Sequence, residues 1–455
     1  MRWVVNHRGD VISFRISSFV DFSSTIIPNF LSTITSRAFF MYSVRHTVQA
    51  GVPAAPAHGA FLAPPSDDVY AFDLAVSPDA SALAVALSSR TVQVYDAASL
   101  RPSSSIALSA GDDFIRSVKW SGASPSTTLF VATGTPDPAL STHAAPPRVA
   151  MLHAFDVRSG RAEASWNFDA LTRSGETGVL GAAAVSASGT LAAVAVGSSV
   201  VFCDVRMGAG GSRGAATRIL DVYSESHSDV VTSLSFHPTL PGHLLSAADD
   251  GLACIFDTRV SGETDAIVTV LSAGSAIERA GIFGATGAFA YVVTRTGALS
   301  LWNVGDAEQL AFFPTLLDSA RDAGLPGGAD YVLDCLYDVP TDALTCILGS
   351  HVGAMHAFSV TPDAVSLLSS TSDAHAATLR CVAAIPRATV DSGHVLFTGA
   401  EDGRVVQWAD ALARDSLGAA RVGGGGAERR KIVLASTAAT ELDAFGRVRV
   451  PQASS

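Results

Sequence analysis

His375-Ala376-Ala377-Thr378-Leu379-Arg380, then Leu396-Phe397-Thr398-Gly399-Ala400-Glu401-Asp402-Gly403, then Val405-Val406-Gln407-Trp408-Ala409 is the stretch on which the fold turns. An apolar run enters an Asp-Gly pair and leaves as another apolar run, the strongest short-range signal for a β-hairpin. Ahead of it, residues 382–385 form a third run that ends at Pro386. Proline lacks the N–H that a sheet ladder requires, so it marks where a strand leaves its sheet. The same order recurs at residues 231–236 before Pro238, followed by Leu244-Leu245-Ser246-Ala247-Ala248-Asp249-Asp250-Gly251 and Ala253-Cys254-Ile255-Phe256-Asp257.

Working outward, seven segments share one ending, a β-rich run that closes on an aromatic or similar residue and then usually a polar one. The final positions are Asp96, Asp156, Asp204, Asp257, Asn303, Ser359 and Ala409. Their spacing exceeds the ~40–45 residues of the shortest propeller repeats, which implies loop insertions. One four-stranded unit cannot bury both its faces, so such units stack radially and close into a ring, which also removes exposed sheet edges. The expected fold is therefore all-β, a seven-bladed β-propeller over residues 60–410. Residues 1–48 are expected to be a poorly structured N-terminal extension. Residues 411–455 are expected to be a Gly-rich linker and short C-terminal tail. The seventh unit lacks a fourth strand of its own. Residues 42–49 or 60–63 from one side, and residues 431–435 from the other, are candidates to supply it.

The fourth and seventh units carry a more specific resemblance, to WD-repeat proteins. Such repeats pair a His before the first strand, a Ser or Thr on the second, an Asp in the hairpin and a Trp on the third. The seventh unit matches at His375, Thr398, Asp402 and Trp408; the fourth matches at His227, Ser246 and Asp250, with Phe256 where Trp stands in the family. Further similar stretches are residues 225–232 with Phe236-His237-Pro238, and in the tail Arg430-Lys431-Ile432 and Arg447-Val448-Arg449-Val450. The resemblance implies a chain of buried hydrogen bonds through each tetrad, and the fourth unit must lack one link. It also implies a non-catalytic scaffold for protein–protein interaction, with no cofactor. The other five units depart from the pattern, with Ser89-Arg90, Ser198-Ser199, Thr296-Gly297 and His351-Val352 at four of their hairpins.

Composition narrows the function classes. The formal charge is −12, with 16% charged and 48% hydrophobic residues. Nucleic-acid binding needs clustered cations to neutralise phosphates, so none is expected. The five cysteines (Cys203, Cys254, Cys335, Cys346, Cys381) contain no Cys-x-x-Cys pair, so neither a disulfide framework nor a zinc site is implied. No Asn-x-Ser/Thr acceptor occurs either, and an intracellular setting, cytoplasmic or nuclear, fits best. No apolar run approaches the ~18 residues of a membrane span. Residues 1–40 are rich in Arg and Ser and poor in acids, the composition of an organellar transit peptide. A start placed too far upstream, with Met41 the true one, is the simpler account.

No catalytic motif emerges. Gly208-Ala209-Gly210-Gly211-Ser212-Arg213-Gly214 does not open a helix, so it is taken as a loop rather than a phosphate cradle. His351 and His356 lie five apart, which in a strand puts them on opposite faces and argues against paired metal ligation. His375 and Asp402 admit a catalytic-dyad reading, but the fourth unit repeats the pattern, with Asp six residues before the aromatic and His four before the first strand's apolar residue, which favours a repeated structural role. An enzyme with a site at the channel mouth would need converging titratable groups, and the hairpins and loops supply none beyond these. Three successive units end in Asp-x-Arg: Asp156-Val157-Arg158, Asp204-Val205-Arg206 and Asp257-Thr258-Arg259. The triplet resembles the Trp-Asp-x-Arg motif by which some WD-repeat proteins dock on the adaptor of a cullin-type ubiquitin ligase, which would make the chain a substrate receptor. The alternative is a local Asp–Arg pair steadying a turn.

Overall fold

The computed structural model describes residues 69–108, 114–122, 127–134, 150–168, 171, 180–206, 219–372, 375–386 and 395–410, with strands Arg2–Val5, Val11–Phe14, Tyr42–Gln49 and Val433–Ala435. The chain divides into two compact units, Met1–Phe39 and Phe40–Ser455. In the first, Arg2–Val5 pairs antiparallel with Val11–Phe14. The remainder of the N-terminal extension, residues 60–63, the Gly208–Gly214 loop and most of the C-terminal tail lie outside the described residues.

The second unit contains seven antiparallel sheets, six of four strands and one of five. Blade one is Ala71–Val76, Ala82–Leu87, Thr91–Asp96 and Pro102–Ala107; blade four is Val231–Phe236, His243–Ala248, Leu252–Asp257 and Ile267–Ser272. The strand order in these blades follows the chain, as a propeller requires. All seven endings singled out in the sequence fall on third strands. Second strands such as ALAVAL (82–87) and LAAVAV (191–196) are almost wholly buried, because neighbouring blades cover both faces. Outer strands such as Ile267–Ser272 alternate half-buried or buried residues with exposed ones instead.

Apolar clusters straddle pairs of blades. One joins Leu74, Leu83 and Tyr95 of blade one to Cys381, Phe397 and Val405 of blade seven. Another joins Leu333, Ile347 and Met355 of blade six to Leu396, Val406 and Trp408 of blade seven. Gly181 marks one close approach: a Cβ there would lie 2.0 Å from the Val231 carbonyl oxygen.

The ring closes through a strand that the sequence analysis had assigned mainly to the extension. Tyr42–Gln49 pairs with Arg404–Asp410, from Tyr42↔Asp410 to Gln49↔Arg404, and becomes the outer strand of blade seven. The ring thus begins at residue 42 rather than 60, because the third strand of blade seven needs a partner on its outer edge. Val433–Ala435 adds a fifth strand to blade six, beside Ala364–Thr371.

Two local features recur from blade to blade. Every inner strand breaks register after its first few residues, at Ala71/Asp73, Ile115/Ser117, Leu180/Ala183, Val231/Ser233, Ile277/Arg279, Val332/Asp334 and Leu379/Cys381. Such bulges re-aim the side chains that follow them. The described hairpins between second and third strands each contain one left-handed residue. Gly251 and Gly403 fill this place in blades four and seven, and Arg90, with φ 61°, fills it in blade one. Asp-Gly forms the last two positions of a three-residue turn rather than a two-residue hairpin. The Asp side chains explain this, since Asp250 Oδ1 accepts from Leu252 N at 2.9 Å and Asp402 Oδ1 from Arg404 N at 2.9 Å.

Two outcomes follow from this architecture. Removing residues 1–40 is expected to leave the melting temperature of the ring unchanged, whereas removing 1–50 strips blade seven of its outer strand and lowers it by about 5 °C or more; calorimetry of the two truncations distinguishes them. Arg90→Gly relieves a left-handed side chain and is expected to stabilise by about 1 kcal/mol, seen as a higher urea midpoint at unchanged slope.

Candidate functional site

The tetrads hold the sequence's most chemical-looking residues. In blade seven, His375 Nδ1 lies 3.3 Å from Asp402 Oδ1 and Nε2 lies 2.8 Å from Thr398 Oγ1, while Trp408 Nε1 donates to the same hydroxyl at 2.8 Å. This order assigns the tautomer: Nδ1–H donates to the carboxylate, and Nε2 accepts from the threonine hydroxyl, which in turn accepts from Trp408. Asp402 Oδ2 also accepts from Ala376 N at 2.8 Å. Burial works to raise the Asp402 carboxyl, but hydrogen bonds from His375, Ala376 and Arg404 outweigh it and hold the group below its usual 3.8. The unfolded chain therefore takes up this proton more readily. The associated stability is present above that value and is lost as pH falls through the folded one.

Blade four repeats the arrangement with one link missing. His227 lies 3.2 Å from Asp250 Oδ2 and 2.7 Å from Ser246 Oγ, and Ser228 N donates to Asp250 at 2.9 Å. Phe256 is fully buried and has no N–H to offer Ser246. It packs instead against Tyr223, ring centroids 5.0 Å apart. The histidine and the hydroxyl of both tetrads are buried, so their hydrogen-bonding capacity is directed into the blade.

The histidine pair of blade six is placed differently from the expectation. His351 stands in the hairpin, and only His356 is on the third strand. His356 is engaged by Ser370 Oγ and the Gly328 carbonyl, each at 2.8 Å. No group of three or more potential metal ligands occurs among the described residues.

The three Asp-x-Arg arginines occupy equivalent positions, directly after the third strands of blades two, three and four. Antiparallel order puts these turns, and those between first and second strands, on the face opposite the Asp-bearing hairpins. Arg206 chelates Asp204, with Nε 2.9 Å from Oδ1. Arg259 chelates Asp257 through Nε and Nη2 at 2.8 and 2.9 Å. Arg158 bonds Asp156 only through its backbone N–H, at 2.8 Å. Beside Arg259, whose side chain is 63% exposed, Leu240 and Val260 are 48% and 39% exposed. The stem of Arg259 lies over the turn at Gly242, where a Cβ would meet its Cγ at 3.0 Å. Val339 in blade six is exposed on the same face.

A second region is not visible in the sequence. An axial cavity of about 330 Å³ is lined from the inner strands of all seven blades and gathers Asp73, Arg116, Lys119, Arg279, Asp334 and Arg380. Titratable groups therefore do converge at the axis, contrary to the expectation from hairpins and loops alone. Three of the five cysteines lie away from it, and all five are free and buried. Burial raises the Cys335 and Cys381 thiols, which line the cavity, well above their ordinary value. Neither is poised as a thiolate nucleophile. The signal that could have found this region is charge within the otherwise apolar first strands of five of the seven units, at positions too far apart to form a local motif.

The tetrad geometry yields a direct test. Trp408→Phe leaves the Thr398 hydroxyl short of its indole donor and is expected to cost about 1–3 kcal/mol. A neutral result in denaturant melts would remove the network from any account of blade stability.

No protein-family model matches the chain. It is similar to the WD repeat-containing protein 89 homolog of Dictyostelium discoideum, 28% identical over 198 residues that cover 44% of this chain and 53% of the relative. It is also similar to WD repeat-containing protein GTS1 of Arabidopsis thaliana, 30% identical over 190 residues, 40% of this chain and 48% of that protein. The chain spans about half the length of these curated relatives. Among solved structures, a chain of a mitotic checkpoint complex shares the fold at a TM-score of 0.55 and 17% identity, over 82% of this chain and 97% of that one. With its seven blades and the two tetrads, the chain is a seven-bladed β-propeller that is similar to WD-repeat proteins.

Proposed function

We propose that the protein is a non-catalytic scaffold that docks other proteins on the face bearing Arg158, Arg206 and Arg259. The observation that carries this reading is on blade four, where the exposed guanidinium of Arg259 stands beside exposed Leu240 and Val260. An apolar contact next to an arginine is the composition of an interface anchor. The closed ring behind it is rigid, so little ordering cost accompanies docking. The fitting partner presents an apolar contact flanked by carboxylate or carbonyl acceptors. The setting we propose is a reducing compartment, in keeping with five free, buried thiols.

The narrower reading, a substrate receptor docking on a cullin-ligase adaptor through the same arginines, rests on the triplets in the sequence. Its geometry is less favourable, since Arg206 and Arg259 already chelate their own aspartates.

The test replaces Arg158, Arg206 and Arg259 together by Ala, and separately makes Leu240→Asp. Affinity purification with mass spectrometry is then run beside thermal melts. Partners lost from either variant at unchanged melting temperature are the expected result, and adaptor peptides among them would select the narrower reading. A partner set identical to wild type in both variants would remove this face from consideration.

A further inference from the structure

The axial cavity carries an inference that is independent of the docking face. Its charges arise from the bulge repeated in the inner strands. The first residue after each bulge is Asp73, Ser117, Ala183, Ser233, Arg279, Asp334 or Cys381, and all seven line the cavity. The sequence therefore supplies one axial layer in which Arg279 is the sole cation, faced by two carboxylates from other blades.

Those carboxylates are already solvated by neighbouring donors. Asp73 accepts from Leu74 N at 2.9 Å, Val118 N at 2.9 Å and Ser117 Oγ at 3.0 Å, with Lys119 Nζ at 3.4 Å. Asp334 accepts from Tyr291 Oη at 2.9 Å and Cys335 N at 2.8 Å. The Tyr291 ring occupies the space that Gly281 leaves open, where a Cβ would lie 2.6 Å from it. The Arg279 guanidinium, by contrast, donates no hydrogen bond to any described residue, although it carries five N–H donors. Burial opposes its charge, but the fields of Asp334 and Asp73 more than offset this and keep it protonated. Arg380 in the same lining is paired with Glu401. The lining as a whole holds four cations, Arg116, Lys119, Arg279 and Arg380, against two carboxylates.

We propose that the axial cavity binds a small, multiply charged oxyanion of phosphate or phosphate-ester type, with Arg279 as its principal donor and Arg116 and Lys119 beside it. Arginine's planar fork matches two oxygens of such a group at once. The volume sits at the lower end of the ~300–1,000 Å³ range of small-molecule pockets, which suits a compact anion and excludes a folded segment. On a chain of net charge −12, a cationic axis is also the place where an anion meets least repulsion.

The experiment uses the full chain, with inorganic phosphate and pyrophosphate as separate probes, each against sodium chloride at matched ionic strength. Isothermal titration calorimetry and thermal melts are the readouts. Wild type is expected to bind at least one probe saturably, with a melting temperature that climbs with probe concentration. Phosphate binding alone identifies a single-group ligand, and preference for pyrophosphate identifies a diphosphate one. Arg279→Gln is expected to bind about tenfold more weakly, the loss of one charge-assisted contact. Because Arg279→Gln alters a half-buried position of the inner strand, Arg116→Gln serves as a second variant with the same expected weakening. No saturable heat and no shift beyond the chloride control for wild type would overturn the proposal. Unchanged affinity in both variants would overturn it as well.

Discussion

No blade of this protein can bury its own faces, and the rest of the structure depends on that constraint. The apolar clusters are built from two blades at a time, so each sheet is stable only with neighbours on both sides. The last interface to be satisfied is the one between blades seven and one, where Cys381, Phe397 and Val405 meet Leu74, Leu83 and Leu87. Blade seven is itself completed by a strand from the far end of the ring unit, and Val48 of that strand packs on the same cluster. Gln407 Nε2 then reaches the Ala97 carbonyl at 2.9 Å across the seam. A contact spanning most of the chain thereby fixes the first and last blades together.

A second consequence follows from stacking seven sheets around one axis. The inner strands converge there, and their side chains have no facing sheet to bury them. The bulges resolve the crowding by turning one residue per strand toward the axis. Three of the seven residues at these positions are charged, Asp73, Arg279 and Asp334, and all three line the axial cavity. The two proposed roles are thereby divided in space, anion binding at the axis and docking on the apolar, arginine-flanked face.

Much of this was legible in the sequence, for physical reasons that differ by element. Third strands and hairpins are local objects, so Asp249-Asp250-Gly251 and Glu401-Asp402-Gly403 announced their turns directly, and all seven endings fell on third strands. Tetrad residues were found because Asp250 and Asp402 each stand six residues before the aromatic of their third strand, Phe256 and Trp408, and His227 and His375 each stand four before the first apolar residue of theirs. The closing strand was left between alternatives, since residues 42–49 carry no turn signal and the pairing with Arg404–Asp410 is set by a vacant sheet edge, not by either sequence alone. The axial cluster escaped notice for a similar reason. Asp73, Arg279 and Asp334 are distant in sequence and meet only through ring geometry.

Blades four and seven show how the fold tolerates loss of one link of the tetrad. In blade seven the loop bearing His375 is held from inside, by Trp408 through Thr398. In blade four Phe256 cannot donate, and the loop leading to His227 is held from outside instead. Glu263 accepts from Ser224 N at 2.7 Å, Glu225 N at 2.9 Å and Ser226 N at 2.6 Å, and from the Ser226 hydroxyl at 2.5 Å. A carboxylate satisfying three consecutive backbone donors fixes a loop as firmly as an indole at its far end, because each bond is charge-assisted. The two devices reach the same result, a histidine locked against its aspartate and hydroxyl. In both blades the imidazole is consumed in holding a loop, which is why the residues that look most like a catalytic pair are unavailable to a substrate.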